Sequence, residues 1–259
     1  MLLRRVVTRT ASHRSLATLD AVHNVDDFQR LARDVLERPL YEYLASGSGD
    51  EVTLRENRAA FGRYALRPRA LRPVDTLSTA CELFGNELAL PVFASPAGVH
   101  SLDGEGERAT ARACGRAGTL FGLSQHATVS IEDVAAAAPG AHRWYQSYLL
   151  KDRDATLDLV RRAVVAGYRG VFLTVDSVRF GFREVDARNN FCALPPPLTL
   201  ANYVATPPAG EAAWEAREHK AWDQNSEALF DTAASWDSVA SGRSSTASIR
   251  RYPSSSKVA

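Results

Sequence analysis

Short apolar segments alternate with helix-like segments through the middle of this sequence. Strand-like segments begin near Leu90, Gly118, Arg143 and Gly170, and a helical pattern follows each of the first three. A repeat of roughly 25 residues predicts parallel β-α-β units. No GxGxxG motif follows the first strand, which argues against a dinucleotide-binding Rossmann fold. We therefore expect an α/β fold of the (β/α)8 TIM barrel type, here only about the first four β/α units and so an incomplete barrel.

Two segments flank or interrupt this alternation. Residues 25–44 carry Phe28, Leu31, Val35 and Leu36 at helical spacing, which predicts one amphipathic helix before the first strand. Residues 189–235 form a polar stretch with little periodicity after the fourth strand. A long insertion of this kind is typical of a lid or a mobile loop.

The two ends of the sequence are expected to lie outside the domain, which we assign to residues 20–240. Residues 1–19 contain Arg4, Arg5, Arg9 and Arg14 and no acidic residue, a pattern typical of a mitochondrial transit peptide or of a disordered basic segment. Residues 241–259 are rich in Ser and Arg and lack apolar periodicity, which indicates disorder. Four strands leave two open sheet edges, so we expect that the chain as written cannot close its own fold.

Composition excludes several classes of protein. A net charge of +1 argues against a nucleic-acid partner. No window approaches the roughly 18 consecutive apolar residues of a membrane span. Cys81, Cys114 and Cys192 are widely separated and odd in number, so neither a disulfide framework nor a metal site is indicated, and we expect reduced thiols.

The end of the fourth strand carries the strongest local signal of a functional site. Asp176 directly follows the apolar run of residues 170–175, and Arg183 lies seven residues further on. Barrel enzymes place catalytic groups at the carboxyl ends of strands. An ordinary surface ion pair in a turn is the alternative interpretation.

Several dispersed motifs occur in an order that matches one enzyme family. They are YEYLASG at residues 41–47, ENRAAF at 56–61, SPAG at 95–98, GEGE at 104–107, YQSY at 145–148 and the segment 173–189. With these motifs the chain resembles, from about residue 25 to 240, the N-terminal half of the FMN-dependent L-2-hydroxy acid oxidase and dehydrogenase family. This family includes glycolate oxidase and the flavin domain of flavocytochrome b2.

The resemblance implies roles for four residues at a catalytic and substrate-binding site. Tyr43 matches a tyrosine on the substrate carboxylate, and Tyr148 one on the substrate hydroxyl; phenols suit both positions because they are neutral donors at physiological pH. Asp176 matches the carboxylate that orients the catalytic histidine of the family, and Arg183 a guanidinium near substrate and flavin. Without the resemblance, each tyrosine would be an ordinary interfacial residue.

The resemblance also implies FMN as the cofactor. Its cofactor-binding residues would be a small-residue segment along the flavin ring and three polar side chains at the heteroatoms of the ring: Ser95, Pro96, Ala97 and Gly98, then Ser124, Gln146 and Thr174. For Pro96 and Gly98, a plain turn at the end of a strand is the alternative.

Two features depart from the family pattern. His126 stands where many relatives carry Trp or another residue that shapes the substrate pocket, so we interpret it as a substrate-binding residue of the pocket wall and not as the catalytic base. The flavin-contacting lysine, the base histidine, the main carboxylate-binding arginine and the phosphate-binding loops of the family are expected beyond the fourth strand, in sequence that this chain does not have.

The final residues suggest an origin for the second departure. If residues 253–258 are encoded with TCN serine codons, reading two nucleotides later gives an apolar strand that can end in Lys-Gly. We therefore hypothesise a shifted reading frame from a gene-model error, altered splicing or a frameshift, which AGY serine codons would exclude.

The function implied by the resemblance is FMN-dependent oxidation of a small L-2-hydroxy acid, of lactate or glycolate type, to the 2-oxo acid. The alternative is a truncated, inactive half-barrel that lacks the catalytic His, Arg and Lys, and another FMN barrel enzyme such as an isomerase is a third. Oxygen, quinone or a cytochrome could accept the electrons, and a full barrel is expected to form a homo-oligomer. A mitochondrial location follows from residues 1–19 alone; peroxisomal and cytoplasmic locations are the alternatives.

Overall fold

A computed structural model describes residues 22–73, 75–102, 104–176, 181–191, 194–205, 230–231, 233–235 and 237. The predicted transit peptide, the predicted disordered tail and most of the polar insertion therefore lie outside the described residues.

The chain begins with helices α1 (Val25–Val35), α2 (Arg38–Ala45) and α3 (Val52–Ala59), the last continued by a 3₁₀ turn at Ala60–Arg63. The single helix predicted over residues 25–44 is wrong, because the backbone becomes extended at Leu36. Pro39 occupies the first turn of α2, where a backbone N–H would have no intrahelical partner and its absence costs nothing. The same proline prevents α1 from continuing through this position.

The predicted apolar face of α1 forms only in part, with Leu31 and Leu36 half-buried. Phe28 and Val35 are 52% and 75% exposed, whereas Asp27 is buried. The Asp27 carboxylate accepts the backbone N–H groups of His23 and Asn24, and the Asn24 side chain caps the helix in return. A capping box, and not an apolar stripe, therefore fixes the start of α1.

An antiparallel hairpin of β1 (Cys81–Leu83) and β2 (Asn86–Leu88) precedes the central sheet. Its two-residue turn, Phe84-Gly85, has φ values of 48° and 76°, which match the twist of a tight hairpin. The buried Asn86 side chain donates to the carbonyls of Leu83 and Phe84.

The central sheet consists of four parallel strands in the order β3 (Ala94–Ala97), β4 (Leu120–Leu123), β5 (His142–Tyr148) and β6 (Gly170–Thr174). Helices α4 (Glu107–Arg116), α5 (Ile131–Ala137) and α6 (Arg153–Val165) connect successive strands. The predicted β-α-β units are therefore present, although β3 begins at Ala94 and not near Leu90. None of the helices in the described part has the length and hydropathy that a bilayer span requires.

The main core lies between this sheet and its three helices. Strand β4 is buried at all four positions, and Ala111, Leu159 and Ala163 from α4 and α6 pack in the same cluster. Two short helices follow, α7 (Glu184–Arg188) and α8 (Ala201–Ala205).

Parts of the polar insertion pack in the core where the structure describes them. Four apolar residues of its described part are buried in the same core, each at most 8% exposed: Leu194, Leu200, Tyr203 and Phe230. The backbone N–H of Ala201 donates to the carbonyl of Ala127, which ties this segment to the loop after β4. Residues 206–229, in the middle of the insertion, lie outside the described residues, so a lid or mobile loop there stays a prediction.

One core tyrosine is expected to be replaceable. Tyr145 is fully buried, and its hydroxyl has no hydrogen-bond partner in the described part of the chain. Burial raises the pKa of this phenol far above its ordinary value. Removing an unsatisfied hydroxyl removes a desolvation cost, so Tyr145→Phe should leave the free energy of unfolding unchanged or raise it by up to about 1 kcal/mol in urea titrations.

Tyr168→Phe is the matched control, because the buried Tyr168 hydroxyl donates to the carbonyl of Ile131 at 3.0 Å. This change should cost about 1 kcal/mol. A larger loss of unfolding free energy in Tyr145→Phe than in Tyr168→Phe would show that the Tyr145 hydroxyl does have a hydrogen-bond partner.

Candidate active site

Three polar side chains form a row across the carboxyl ends of neighbouring strands. Ser124 follows β4, Gln146 lies in β5, and Thr174 ends β6. The Ser124 hydroxyl is 3.3 Å from Gln146 Oε1, and Gln146 Nε2 donates to Thr174 Oγ1 at 2.9 Å. The parallel register, with Tyr148 beside Thr174, brings these groups to one edge of the sheet.

The end of β3 lies beside this row and is made of small residues. Ser95 and Ala97 are exposed, while Pro96 and Gly98 are half-buried. A Cβ at Gly98 would stand 2.9 Å from the carbonyl oxygen of His126, so the chain here follows the loop after β4 closely. Exposed small residues next to a row of donors and acceptors offer a flat surface with a polar margin.

This surface fits the ring system of a flavin. Small side chains let backbone approach a flat ring, and the row of Ser124, Gln146 and Thr174 offers hydroxyl and amide groups to its heteroatoms. The fit concerns the ring alone, since none of the residues assigned from the sequence was predicted to bind the phosphate.

Tyr148 and His126 form the wall beside this surface. Their rings stack with centroids 4.9 Å apart, and Phe230 packs against Tyr148 at 5.0 Å. Burial lowers the pKa of His126 to about 4, so its imidazole is neutral at physiological pH. A buried neutral ring in this position shapes the wall and is poorly suited to accept a proton.

Tyr43 and Arg183 meet on the other side of the site, where α2 packs against α7. The Arg183 guanidinium lies 4.6 Å from the centre of the Tyr43 ring. Its Nη2 donates to the backbone carbonyls of Tyr43 and Ser46 and, at 2.8 Å, to the Ser46 hydroxyl. Arg183 Nε lies 3.0 Å from the carboxylate of Asp186. Arg183 therefore links the C-terminal end of α2 to the segment after β6.

Burial and nearby charges set the pKa values of the two tyrosines. Burial raises the pKa of Tyr43; the Arg183 guanidinium opposes this shift, and Asp186 and the phenol of Tyr148 add to it. The pKa of Tyr148 is raised by burial first and by the Asp176 carboxylate second. Both phenols are therefore protonated donors at neutral pH; Tyr43 is close enough to Tyr148, and Tyr148 to Asp176, for their charges to interact.

Asp176 itself is exposed and makes no hydrogen bond or ion pair with the described residues. The ion pair of Arg183 is with Asp186, so the alternative of an Asp176–Arg183 surface pair is not observed. The structure thus brings Tyr43 to Arg183 and Tyr148 to His126, and it leaves Asp176 accessible beside them.

Sequence reasoning missed several residues that build this site. Glu107 belongs to the GEGE motif, but no role was assigned to it; its carboxylate is fully buried and holds the loops after β3 and β4. Gln125, Tyr203 and Phe230 surround His126. No sequence signal marks the last two, because they are more than seventy residues from His126 along the chain.

Comparison with known proteins identifies the family. A family model described as FMN-dependent dehydrogenase matches residues 32–248. Glycolate oxidase 3 from Oryza sativa subsp. indica is 43% identical over 188 residues, which is 72% of this chain and 51% of that protein. Glycolate oxidase from Spinacia oleracea is 43% identical over 183 residues, 70% of this chain and 49% of that protein.

Solved structures agree with the sequence comparisons. A mandelate oxidase in complex with (S)-4-hydroxymandelic acid is 39% identical, with a TM-score of 0.75 over 85% of this chain and 61% of its own. A (putative) lactate oxidase from Pediococcus acidilactici is 29% identical, with a TM-score of 0.74 over 87% of this chain and 58% of its own.

These relatives also settle the fold. The neighbours are TIM-barrel FMN oxidases, so the prediction of an incomplete (β/α)8 barrel is confirmed. The chain spans about half the length of the glycolate oxidases that it matches. On the matched residues and the shared fold, the chain belongs to the FMN-dependent dehydrogenase family, whose cofactor is FMN.

Proposed function

We propose that this chain contributes the N-terminal half of an enzyme that oxidises a small L-2-hydroxy acid, of glycolate or lactate type, to the 2-oxo acid. Family membership and the glycolate, mandelate and lactate oxidases among its relatives support the reaction class. The observation that carries the proposal is the arrangement of two neutral phenols and an accessible carboxylate beside a row of flavin-compatible polar groups.

The residues assigned to the site have distinct roles in the proposed reaction. Ser95 to Gly98 would hold one face of the isoalloxazine ring, and Ser124, Gln146 and Thr174 would bind its polar edge. Bound FMN would supply a two-electron acceptor for the substrate. Binding substrate in a fixed orientation against such a group accounts for much of the acceleration that positioning can give.

The substrate-facing residues act as donors and as a local charge. Tyr43 donates to the substrate carboxylate, and Tyr148 to the substrate hydroxyl; their raised pKa values keep both phenols protonated. Asp176 stabilises a cation beside the substrate, which in the proposal is a protonated histidine from sequence beyond the fourth strand. Arg183 keeps Tyr43 in place and adds positive charge near the substrate.

A non-catalytic half-barrel is the second candidate. The outer edge of β6 pairs with no other strand of the described residues, and Val171 and Val175 near it are 39% and 55% exposed. Unpaired edges with exposed β-branched residues are templates for association. The electron acceptor, the homo-oligomer and the mitochondrial location stay predictions.

FMN titration of the purified 259-residue chain tests the proposal, followed through the quenching of flavin fluorescence. Thr174→Val should weaken FMN binding about tenfold, because one polar contact to the ring is lost without a change of shape. Anaerobic addition of glycolate or lactate should then bleach the flavin absorbance if the loaded chain turns over substrate.

Thr156→Val is the matched control. The Thr156 hydroxyl accepts the backbone N–H of Leu150 at 3.1 Å, away from the polar row, so this change should affect stability and not FMN affinity. Bleaching of the flavin by the loaded chain would exclude the non-catalytic half-barrel. Equal affinities in both variants, or no binding by the wild-type chain, would reject the proposed cofactor surface.

A further inference from the structure

Gln125 has a fixed side-chain orientation in the wall of the candidate site. It is fully buried directly after β4, and its Oε1 accepts the backbone N–H of Tyr148 at 2.8 Å. An N–H can only meet an acceptor, so the other end of the amide must be the NH2 group. That group, Nε2, donates to the Tyr203 hydroxyl at 2.9 Å.

The Tyr203 hydroxyl also lies 3.0 Å from His126 Nε2. Its oxygen already accepts from Gln125, and its single proton finds no acceptor among the described residues other than His126 Nε2. The opposite arrangement, with an N–H on Nε2, would leave a buried hydroxyl proton without a partner, which is costly. The hydrogen-bond chain therefore requires Nε2 of His126 to be the acceptor and Nδ1 to carry the proton.

The backbone around Tyr203 is anchored independently. The side chain of its neighbour Asn202 accepts the backbone N–H of Ile131 at 3.1 Å and donates to the carbonyl of Gln125 at 3.4 Å. Tyr203 is 2% exposed and packs in the main core. These contacts fix the position of the Tyr203 hydroxyl between Gln125 and His126.

The imidazole so held is the ring that stacks on Tyr148, with an interplanar angle of 28°. Gln125 contacts the backbone of the same Tyr148. The trio Gln125, His126 and Tyr203, which we call the Tyr203 network, therefore holds Tyr148 through both its main chain and its ring.

We propose that Tyr203 is a positioning residue: its hydroxyl fixes His126 as the Nδ1–H tautomer and seats the imidazole against Tyr148. The consequence for substrate rests on the function proposed above, in which Tyr148 binds the substrate hydroxyl.

The first test is nitrogen-detected NMR of the imidazoles in the full 259-residue chain, with the His126 signal assigned by its loss in His126→Gln. In the wild-type chain, Nδ1 of His126 should be protonated and Nε2 unprotonated. In Tyr203→Phe the Nε2 signal should shift and the two tautomers should mix, since Nε2 loses its donor. Tyr168→Phe, which removes a buried hydroxyl that bonds Ile131, should leave the His126 signals unchanged.

A protonated Nε2 in the wild-type chain would overturn the proposal, as would an unchanged His126 spectrum in Tyr203→Phe. If Tyr203→Phe does not fold, the His126 tautomer of the wild-type chain tests the proposal by itself. A second readout uses the FMN-loaded chain, in which Tyr203→Phe should weaken binding of a 2-hydroxy acid about fivefold while Tyr168→Phe does not.

The NMR arm needs neither FMN nor turnover, so the two proposals fail separately. The expected tautomer without FMN binding would reject the proposed function and keep the Tyr203 network. FMN binding by a chain whose His126 is protonated on Nε2 would reject the Tyr203 network and keep the proposed function.

Discussion

Replacing Glu107 by alanine should lower the free energy of unfolding by about 3 kcal/mol or more, one of the largest losses that a single substitution in this chain can cause. The fully buried carboxylate accepts the backbone N–H groups of His100 and Thr128 at 3.2 and 2.9 Å. It also accepts the Thr128 hydroxyl. Alanine would leave these donors buried and unpaired, next to a new cavity.

The same substitution should disturb the candidate site, because Glu107 joins the loops that follow β3 and β4. Gly98 and His126 lie on these two loops and contact each other closely. We expect weaker FMN binding together with a lower urea midpoint. Glu107→Gln, which keeps one acceptor oxygen, should fall between wild type and alanine.

Glu105→Ala is the control for the loss of a carboxylate in the same motif. Glu105 is exposed and pairs with Arg112 at the surface, so its removal should change stability by no more than about 0.5 kcal/mol. Similar losses in Glu105→Ala and Glu107→Ala would show that the buried hydrogen bonds contribute little.

Gly122→Ala is expected to cost about 2 kcal/mol and to displace the flavin-facing end of β3. A Cβ at this position of β4 would stand 2.8 Å from both Cδ and Cγ of Pro96. The proline ring is rigid, so the clash must move the backbone of β3. Urea unfolding and FMN titration should therefore both report the change.

Gly140→Ala is the matched control, because a Cβ there meets no atom within 4 Å and the backbone has no positive φ. Pro96→Ala should relieve the clash, so the double variant Gly122→Ala with Pro96→Ala should be more stable than the sum of the single changes predicts. Strictly additive losses would contradict the proposed contact between the two residues.

The sequence predicted those parts of the fold that depend on local pattern. Strands β4 to β6 begin within two residues of their predicted starts, and a helix follows each of the first three strands as predicted, because each apolar run is bounded by turn residues. The hairpin β1–β2 was missed, since three-residue strands carry too few positions for a period to show. The break between α1 and α2 was also missed, although Pro39 supplied its physical cause.

The candidate site was predictable only as far as a resemblance could assign residues. The small-residue segment, the polar row and both tyrosines were assigned in this way, and the structure brings them to one end of the sheet. Contacts between distant segments could not be predicted, such as Arg183 with Ser46 or Tyr203 with His126. These contacts depend on how the loops cross the ends of the strands, and no periodicity encodes that.

The order of the central strands has a consequence for how the chain acquires its structure during synthesis. The sheet order β3-β4-β5-β6 is also the order in which the strands leave the ribosome. Each new strand can therefore add to an edge that already exists, and each connecting helix can cover the sheet before the next strand arrives. The four-stranded sheet can therefore be assembled progressively from its first strand, before the residues after β6 complete the core.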